Sequence, residues 1–577
     1  MDIGVFKNPV PPPNHQNGTG MCHHLEEKMK IRELLLITLS AGLILLSGCG
    51  AEQNPTVTEE GEDSYARASL FCDVNFWEPP SWSTEEGTIT GDITEKTGLA
   101  LDITVPPQNA DAQLSLMLLN DDLPDIISLT NETTISQLIT SGKVWDLEEF
   151  LKRYCPESHL LKSFPEDIKR ELIKRDGGWY AYPSHMNSQD SRKIWKPSSK
   201  FYEDWTNYND NNAIIWNREL LEKAGLTVEE VQTEEQVLAA WDKMKNMHLD
   251  VDGEAVIPLL VDGKGYIDPT VKFLEYTFGA ERVDENGNYR DILLQPQAEH
   301  ALLFLNEAIR NGYAAPEQLT YENTKIKSLM AGGNVFCFIG NVANSGIDFT
   351  KWVSSGPVLS YGGETPVLGK NLRAPTGWLS TFVSKDCRNP EQVAAWIDYM
   401  TSDEGLLFWS FGYEGSDYRL DDDGYVVQSE KGEAASLDYG QTGQGAWWMF
   451  DNFSWERSIL PEPEEDSSTA AEKEVYTAFG SHDRTVSYDE SLLPLTAEDI
   501  PPESDEGILD AKIRAYEKEQ IPRIILAGSR EEAAARYSEM TETLKRMGIE
   551  TLDAYKNEIY QKNCREYGGR IEKVNVE

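Results

Sequence analysis

The chain has 577 residues, 40% of them hydrophobic and 10% aromatic, and carries a formal net charge of -46. That length and apolar content suffice for about two or three packed domains. The charge argues against nucleic acid, since phosphate neutralisation needs clustered Lys and Arg, and against an electrostatic grip on anionic lipid.

The first informative stretch in chain order is the apolar run Leu34–Leu46, which stops at Ser47-Gly48-Cys49. It falls short of the about 20 apolar residues that a bilayer span requires. Lys30 and Arg32 precede it, so it reads as a secretory signal, with Met29 as the expected initiator and residues 1–48 outside the mature fold. Leu46-Ser47-Gly48-Cys49 resembles the lipobox of bacterial lipoproteins. That resemblance implies a mature chain starting at Cys49, acylated there with palmitate-type chains and held at the extracellular face of the cell membrane. Residues 49–68 are polar and acidic and read as a self-repelling tether. Five further cysteines, Cys72, Cys155, Cys337, Cys387 and Cys564, are widely spaced and form neither a disulfide framework nor a zinc pair.

Ordered structure is expected from Ser69. "SLFCDVNFW", "LALDITVP" and "LPDIISLT" read as strands, and "NADAQLSLMLLNDD" as an amphipathic helix, a pattern of α/β type with a largely parallel sheet. A second such region opens at Ala213 with the strand "AIIW" and the helix "NRELLEKAGL", which Gly225 can stop in a left-handed cap. Thr233 and Gln236 form a capping-box pattern ahead of Val237, Ala240, Trp241 and Met244 at helical spacing. "EHALLFLNEAIRNGY" repeats that design, and "VFCFIG" is a buried strand. Residues 461–510, rich in Pro, Glu and Asp, read as a long surface loop, followed by helices from about Gly507 to Tyr567.

Catalytic signatures are missing from the chain: it has no Gly-x-Ser-x-Gly, His-Glu-x-x-His or Gly-x-Gly-x-x-Gly. "GETPVLGK" is one residue too long for a phosphate loop, and Asn371 stands where a magnesium-binding hydroxyl belongs. The aromatic residues are more informative, because a flat ring stacks on the C–H face of a sugar. Trp241 and Trp396 sit on helical apolar stripes and are expected in the core. Trp77, Tyr182, Tyr266, Trp378, Trp447 and Trp448 lie at strand ends or in polar, Gly-rich loops and are candidates for ligand binding.

The segment Val383–Gly424, "VSKDCRNPEQVAAWIDYMTSDEGLLFWSFGYEGSDYRLDDDG", resembles the extracellular solute-binding protein family 1 lipoproteins, the capture subunits of ABC importers. The likeness extends to "AIIWNRELLEKAGL", "YTFGAERVDENGNY", "HALLFLNEAIRNGYAAPEQLT" and "MTETLKRMGIETLDAYKNEIYQKNCREYG". It implies an α/β fold of two lobes, of the type II periplasmic-binding-protein kind, with ligand in the cleft between them. The lobes would divide as 69–185 and 378–460 for the first, 186–377 and mainly 461–577 for the second. By position in relatives, Thr130, Asn131, Tyr266, Asn341 and Trp378 would face the cleft. The implied ligand is an oligosaccharide and the implied partners are ABC permease subunits, for a monomer with no cofactor. Some relatives carry a calcium loop where this chain reads "HLDVDGEAVIPLL". Only Asp250, Asp252 and Gly253 of that loop are kept, and calcium takes about six or more oxygens, so no metal is expected. Two alternatives stand beside this reading: a surface-anchored glycosidase or polysaccharide lyase, and a sensory or adhesive carbohydrate-binding lipoprotein.

Overall fold

The computed structural model describes residues 65–75, 77–370, 377–493, 499–501 and 504–567. Cys49, the apolar run before it and most of the acidic tether lie outside them. Strands β1 Ala66–Cys72, β2 Leu99–Thr104, β3 Ile126–Leu129 and β4 Tyr182–Pro183 open the first lobe. The second lobe contributes β5 Asn212–Asn217, β6 Asp250–Val251, β7 Glu254–Ala255, β8 Leu260–Val261, β9 Cys337–Asn341, β10 Trp352–Ser354 and β11 Val367–Lys370. The chain then returns to the first lobe with β12 Ser380–Val383 and a hairpin of β13 Tyr418–Leu420 and β14 Val426–Gln428. It crosses back to place β15 Val486–Asp489.

The first sheet has the order β2-β1-β3-β12-β4, with β1 parallel to β2 and β3, and β12 antiparallel to both its neighbours. Successive side chains of a strand point to opposite faces. Leu70 accordingly enters one core with Ile126 and Trp396, while Phe71 enters another with Ile127 and Phe382. Both faces are covered, which is why these strands read as near-continuous apolar runs. The second sheet, β10-β5-β9-β8, is mixed: β8 is parallel to β9, but β5 is antiparallel to β9 and to β10. Ile214 and Trp216 face one of its cores, Ala213 and Ile215 the other.

Several local expectations are met by the geometry. Thr233 Oγ1 accepts from Gln236 N at 3.3 Å, and Gln236 Oε1 accepts from Thr233 N at 3.0 Å, closing the capping box. Gly225 takes φ +61° and Leu226 N donates back to Leu221 O at 3.1 Å, so the helix Arg218–Lys223 ends as a left-handed cap requires. The segment Asp250–Ala255 is a tight β6–β7 hairpin turning through Asp252 and Gly253, both at positive φ.

Other expectations are corrected. Strand β1 starts at Ala66, three residues ahead of the expected position, and its Arg67 pairs with Asp102 on β2. The helix Ala110–Leu119 buries only Leu114, and Leu116 and Leu119 are 59% and 78% exposed. Its apolar residues run all round the helix, and one stripe alone, Leu114 with Met117 and Leu118, can meet the sheet. Residues 186–208 stay with the first lobe, since Tyr202 and Trp205 are buried in its core. Residues 461–510 are not one surface loop. Ser467 caps the helix Ser468–Thr477, Val475 is buried against the second sheet, and β15 pairs in parallel with β11. Helices Asp505–Ile525, Arg530–Met547 and Ile549–Tyr567 pack on the second lobe through Ile524, Leu544 and Leu552. Among the described residues no helix is long and apolar enough to cross a membrane.

Candidate ligand site at the junction of the lobes

Strand register defines which edges face the junction. Ser380, the first residue of β12 after the crossing, pairs with Leu129 and Pro183, so the ends of β3 and β4 share its edge. Cys72 pairs with Ser128, which brings the end of β1 to the same place. That edge therefore carries Asp73, Thr130, Asn131, Ser184, His185 and Trp378. On the second sheet, Asn212, where the chain arrives from the first lobe, pairs with Asn341 at the end of β9. Asp262 and Tyr266 follow the end of β8 on that edge.

Each edge presents a carboxylate fastened to the neighbouring strand. Asp73 Oδ2 accepts from Thr130 N at 2.8 Å and Thr130 Oγ1 at 3.0 Å. Asp262 Oδ2 accepts from Asn341 N at 2.7 Å. Burial raises both acids, against the lowering effect of those donors. Gly340 is what allows Asp262 its seat, since a Cβ there would lie 2.7 Å from Asp262 Cβ.

The crossings are tied together at the end of the helix Lys200–Tyr208. Lys370 Nζ, at the end of β11, donates to Thr206 O, Asn207 O and Asn209 Oδ1 at 3.0, 3.0 and 2.9 Å. Arg457, on the helix Phe453–Ile459, donates to Thr206 Oγ1 at 2.7 Å. Asp210 N donates to Tyr476 O at 2.9 Å. Burial, abetted by Arg457 and Arg192, pulls the Lys370 ammonium down to about 7 although Asp210 opposes it. Burial likewise lifts Glu456 to about 7 and lowers Arg457 to about 10. These side chains keep intermediate exposure yet are desolvated like interior groups.

His185 and Asp451 meet in the same wall. His185 adopts φ +55°, its N–H donates to Asp451 O at 2.5 Å, and its Nε2 lies 3.3 Å from Asp451 Oδ2. Burial lowers the imidazole to about 4 and raises the Asp451 carboxyl well above its ordinary value. Burial thus disfavours the charged form of each group, and His185 Nδ1 lies 2.6 Å from Ser184 Oγ. The His185 ring stands edge-on to Phe453 at 4.9 Å and is tilted against Trp378 at 6.1 Å.

The sequence candidates divide sharply on burial. Trp378 is 45% exposed at the crossing. The glycine before it makes a close approach to protein, since a Cβ on Gly377 would stand 2.6 Å from His185 Nδ1 and Ser184 Oγ. Thr130, Asn131 and Asn341 lie on the junction edges, with Asn131 and Asn341 each capping the turn that follows it. Trp448 is half-buried against Tyr439 at 5.4 Å. Tyr266 is buried in the second lobe, and its hydroxyl has no hydrogen-bond partner among the described residues. Three candidates are core residues of the first lobe, which corrects their reading as ligand contacts. Trp447 has no exposed surface and packs on Trp77 and Trp82 at 6.2 and 5.4 Å. Trp77 spends its indole N–H on Ala446 O at 2.8 Å. Tyr182 is enclosed by Phe164 and Phe450. Asp73, His185, Asp262, Lys370 and Asp451 escaped the sequence reading, although Asp73 lies in "SLFCDVNFW", read as a strand, and Lys370 closes "GETPVLGK", rejected as a phosphate loop.

No protein-family model matches the chain, and no curated protein matches it. Solved structures do. The S. pneumoniae ABC-transporter substrate-binding protein FusA in complex with kestose is 15% identical, with 87% of this chain and 100% of that chain covered and a TM-score of 0.63. An HMO-binding, ABC-transporter-associated solute-binding protein from Bifidobacterium longum infantis is 13% identical over 86% and 99%, with a TM-score of 0.60. The alginate-binding protein AlgQ2 without calcium ion is 14% identical over 87% and 99%, with a TM-score of 0.53. The fold is that of the two-lobed solute-binding proteins, α/β in both lobes. The proteins sharing it here are binding proteins rather than enzymes.

Proposed function

We propose that the protein captures an oligosaccharide in the cleft between its lobes and delivers it to the permease subunits of an ABC importer, with no chemistry of its own. The observation that carries this reading is the exposed ring of Trp378 at the crossing, beside His185 and Asp451. A ring of this kind stacks on a sugar face, and fixed hydrogen-bonding groups such as Thr130, Asn131 and Asn341 take its hydroxyls. Support comes from the likeness, over 87% of this chain, to a protein solved with kestose and, as an EF-hand mutant, with fructo-nystose. In this reading Cys49 anchors a monomer at the extracellular face of the membrane through its lipid, and neither cofactor nor metal takes part.

A thermal-shift series against a panel of neutral and acidic oligosaccharides tests it. A ligand that binds only the folded state raises Tm in a saturable way. The expected result is such a rise with at least one oligosaccharide, which is then recovered unaltered. A panel without effect, or cleavage of the sugar, would overturn the reading.

A further inference from the structure

The first lobe holds a cavity of about 340 Å³ whose lining includes none of the residues at the strand ends of the junction. Its volume lies within the roughly 300–1,000 Å³ of small-molecule pockets. It opens between the helix Ile89–Thr97 and the helical hairpin Pro390–Thr401 and Asp403–Phe411, under the turn at Gly412. The aromatic lining is Tyr399, Phe408, Tyr413 and Tyr418. Phe408 and Tyr413 pack edge to face, at 82° with centroids 5.4 Å apart, and make an aromatic corner of the lining.

That corner is built, not incidental. Tyr413 Oη donates to Asp92 Oδ2 at 2.7 Å and Tyr413 N donates to Asp417 Oδ2 at 2.9 Å, which fixes the ring at both ends. Gly412, at φ +80°, makes the turn possible, because a Cβ there would lie 2.6 Å from Asp417 Oδ2. The remaining polar lining is acidic: Asp92, Glu95, Glu404 and Glu414 against the single cation Lys96, itself paired to Glu404 at 2.7 Å. The phenols of Tyr399 and Tyr413 are pushed up by burial first, and further by Asp92, consistent with a negative potential inside. An anion is repelled there, and a neutral apolar ligand makes no use of the carboxylates. A cation with an apolar skin satisfies both the ring faces and the charge.

We propose that this cavity is a second binding site, for an organic ammonium ion, independent of the interlobe cleft. Choline is the probe, with its uncharged carbon analogue dimethylbutanol as the control, both titrated calorimetrically at fixed ionic strength. Choline should bind saturably and about tenfold or more tighter than dimethylbutanol. Phe408→Leu, which keeps apolar volume without a π face, and Glu414→Gln, at an exposed position, should each weaken choline about threefold or more, while Trp378→Ala leaves it unchanged. Should Phe408→Leu fail to fold, Glu414→Gln decides. Absence of saturable choline binding, equal binding of the neutral analogue, indifference to Glu414→Gln, or loss in Trp378→Ala would overturn the proposal.

Discussion

The ammonium of Lys370 lies 3.0 Å from the main-chain oxygen of Thr206, tying the end of β11 to the end of the helix Lys200–Tyr208. Both partners stand where the chain passes between lobes, and Arg457 grips the same threonine by its hydroxyl. A buried cation is costly unless acceptors surround it, and here carbonyl and amide oxygens do so.

The first prediction concerns that lysine. Its folded pKa is depressed, to about 7, so its contribution to stability is present above the unfolded value and lost as pH falls through about 7. Lys370→Met removes the titration. In paired thermal melts from pH 6 to pH 10, the wild type should gain on the variant as pH rises. A difference in Tm that stays flat across that range would contradict the assignment.

A carboxyl in the second lobe predicts the opposite sign. Glu275 is buried, and burial lifts it to about 8, with Asp291 and Glu517 adding repulsion against Arg282. A raised acid contributes stability below its unfolded pKa that is lost as pH rises through about 8. Glu275→Gln should therefore stabilise the fold at pH 9, by on the order of 2 kcal/mol, and have little effect at pH 4. Denaturant curves at the two pH values check this.

Gly377→Ala tests the wall behind Trp378. The new methyl would meet His185 and Ser184 at 2.6 Å, and neither can retreat, since Gly377 N and His185 N are bonded to Ser184 O and Asp451 O. Overpacking of this kind costs about 1–3 kcal/mol. The variant should lose stability by that amount and bind sugar more weakly than wild type, both read by calorimetry.

Much of the local structure is legible in the sequence because caps and periodicity act over a few residues. Thr233 with Gln236, and Gly225 with Leu226, are examples where the pattern and the geometry agree. The site is less legible. Trp77, Trp447 and Trp378 all follow turn residues, but only long-range packing decides that the first two close over Trp82 and Ala446 while the third stays open. His185 finds Asp451, and Lys370 finds Thr206, across sequence separations that no periodicity records. The helix Ser468–Thr477 was hidden by its acidic, Pro-rich flank, although Ser467 supplied the cap.

Cys49 carries a separate prediction. If it bears the lipid, Cys49→Ala should move the protein from the membrane fraction to the soluble one, because one buried chain alone binds only marginally and none not at all. Retention of the variant on washed membranes would contradict the anchor.

The most direct measurement is a calorimetric titration of wild type and Trp378→Ala with an oligosaccharide that raises Tm, with a denaturation curve on each. The account predicts that affinity falls at least about tenfold, near 1.4 kcal/mol. Stability should change by less than the about 3–5 kcal/mol of a buried Trp truncation, given a ring 45% exposed. Unchanged affinity with collapsed stability would contradict it, placing Trp378 in the core and the sugar elsewhere.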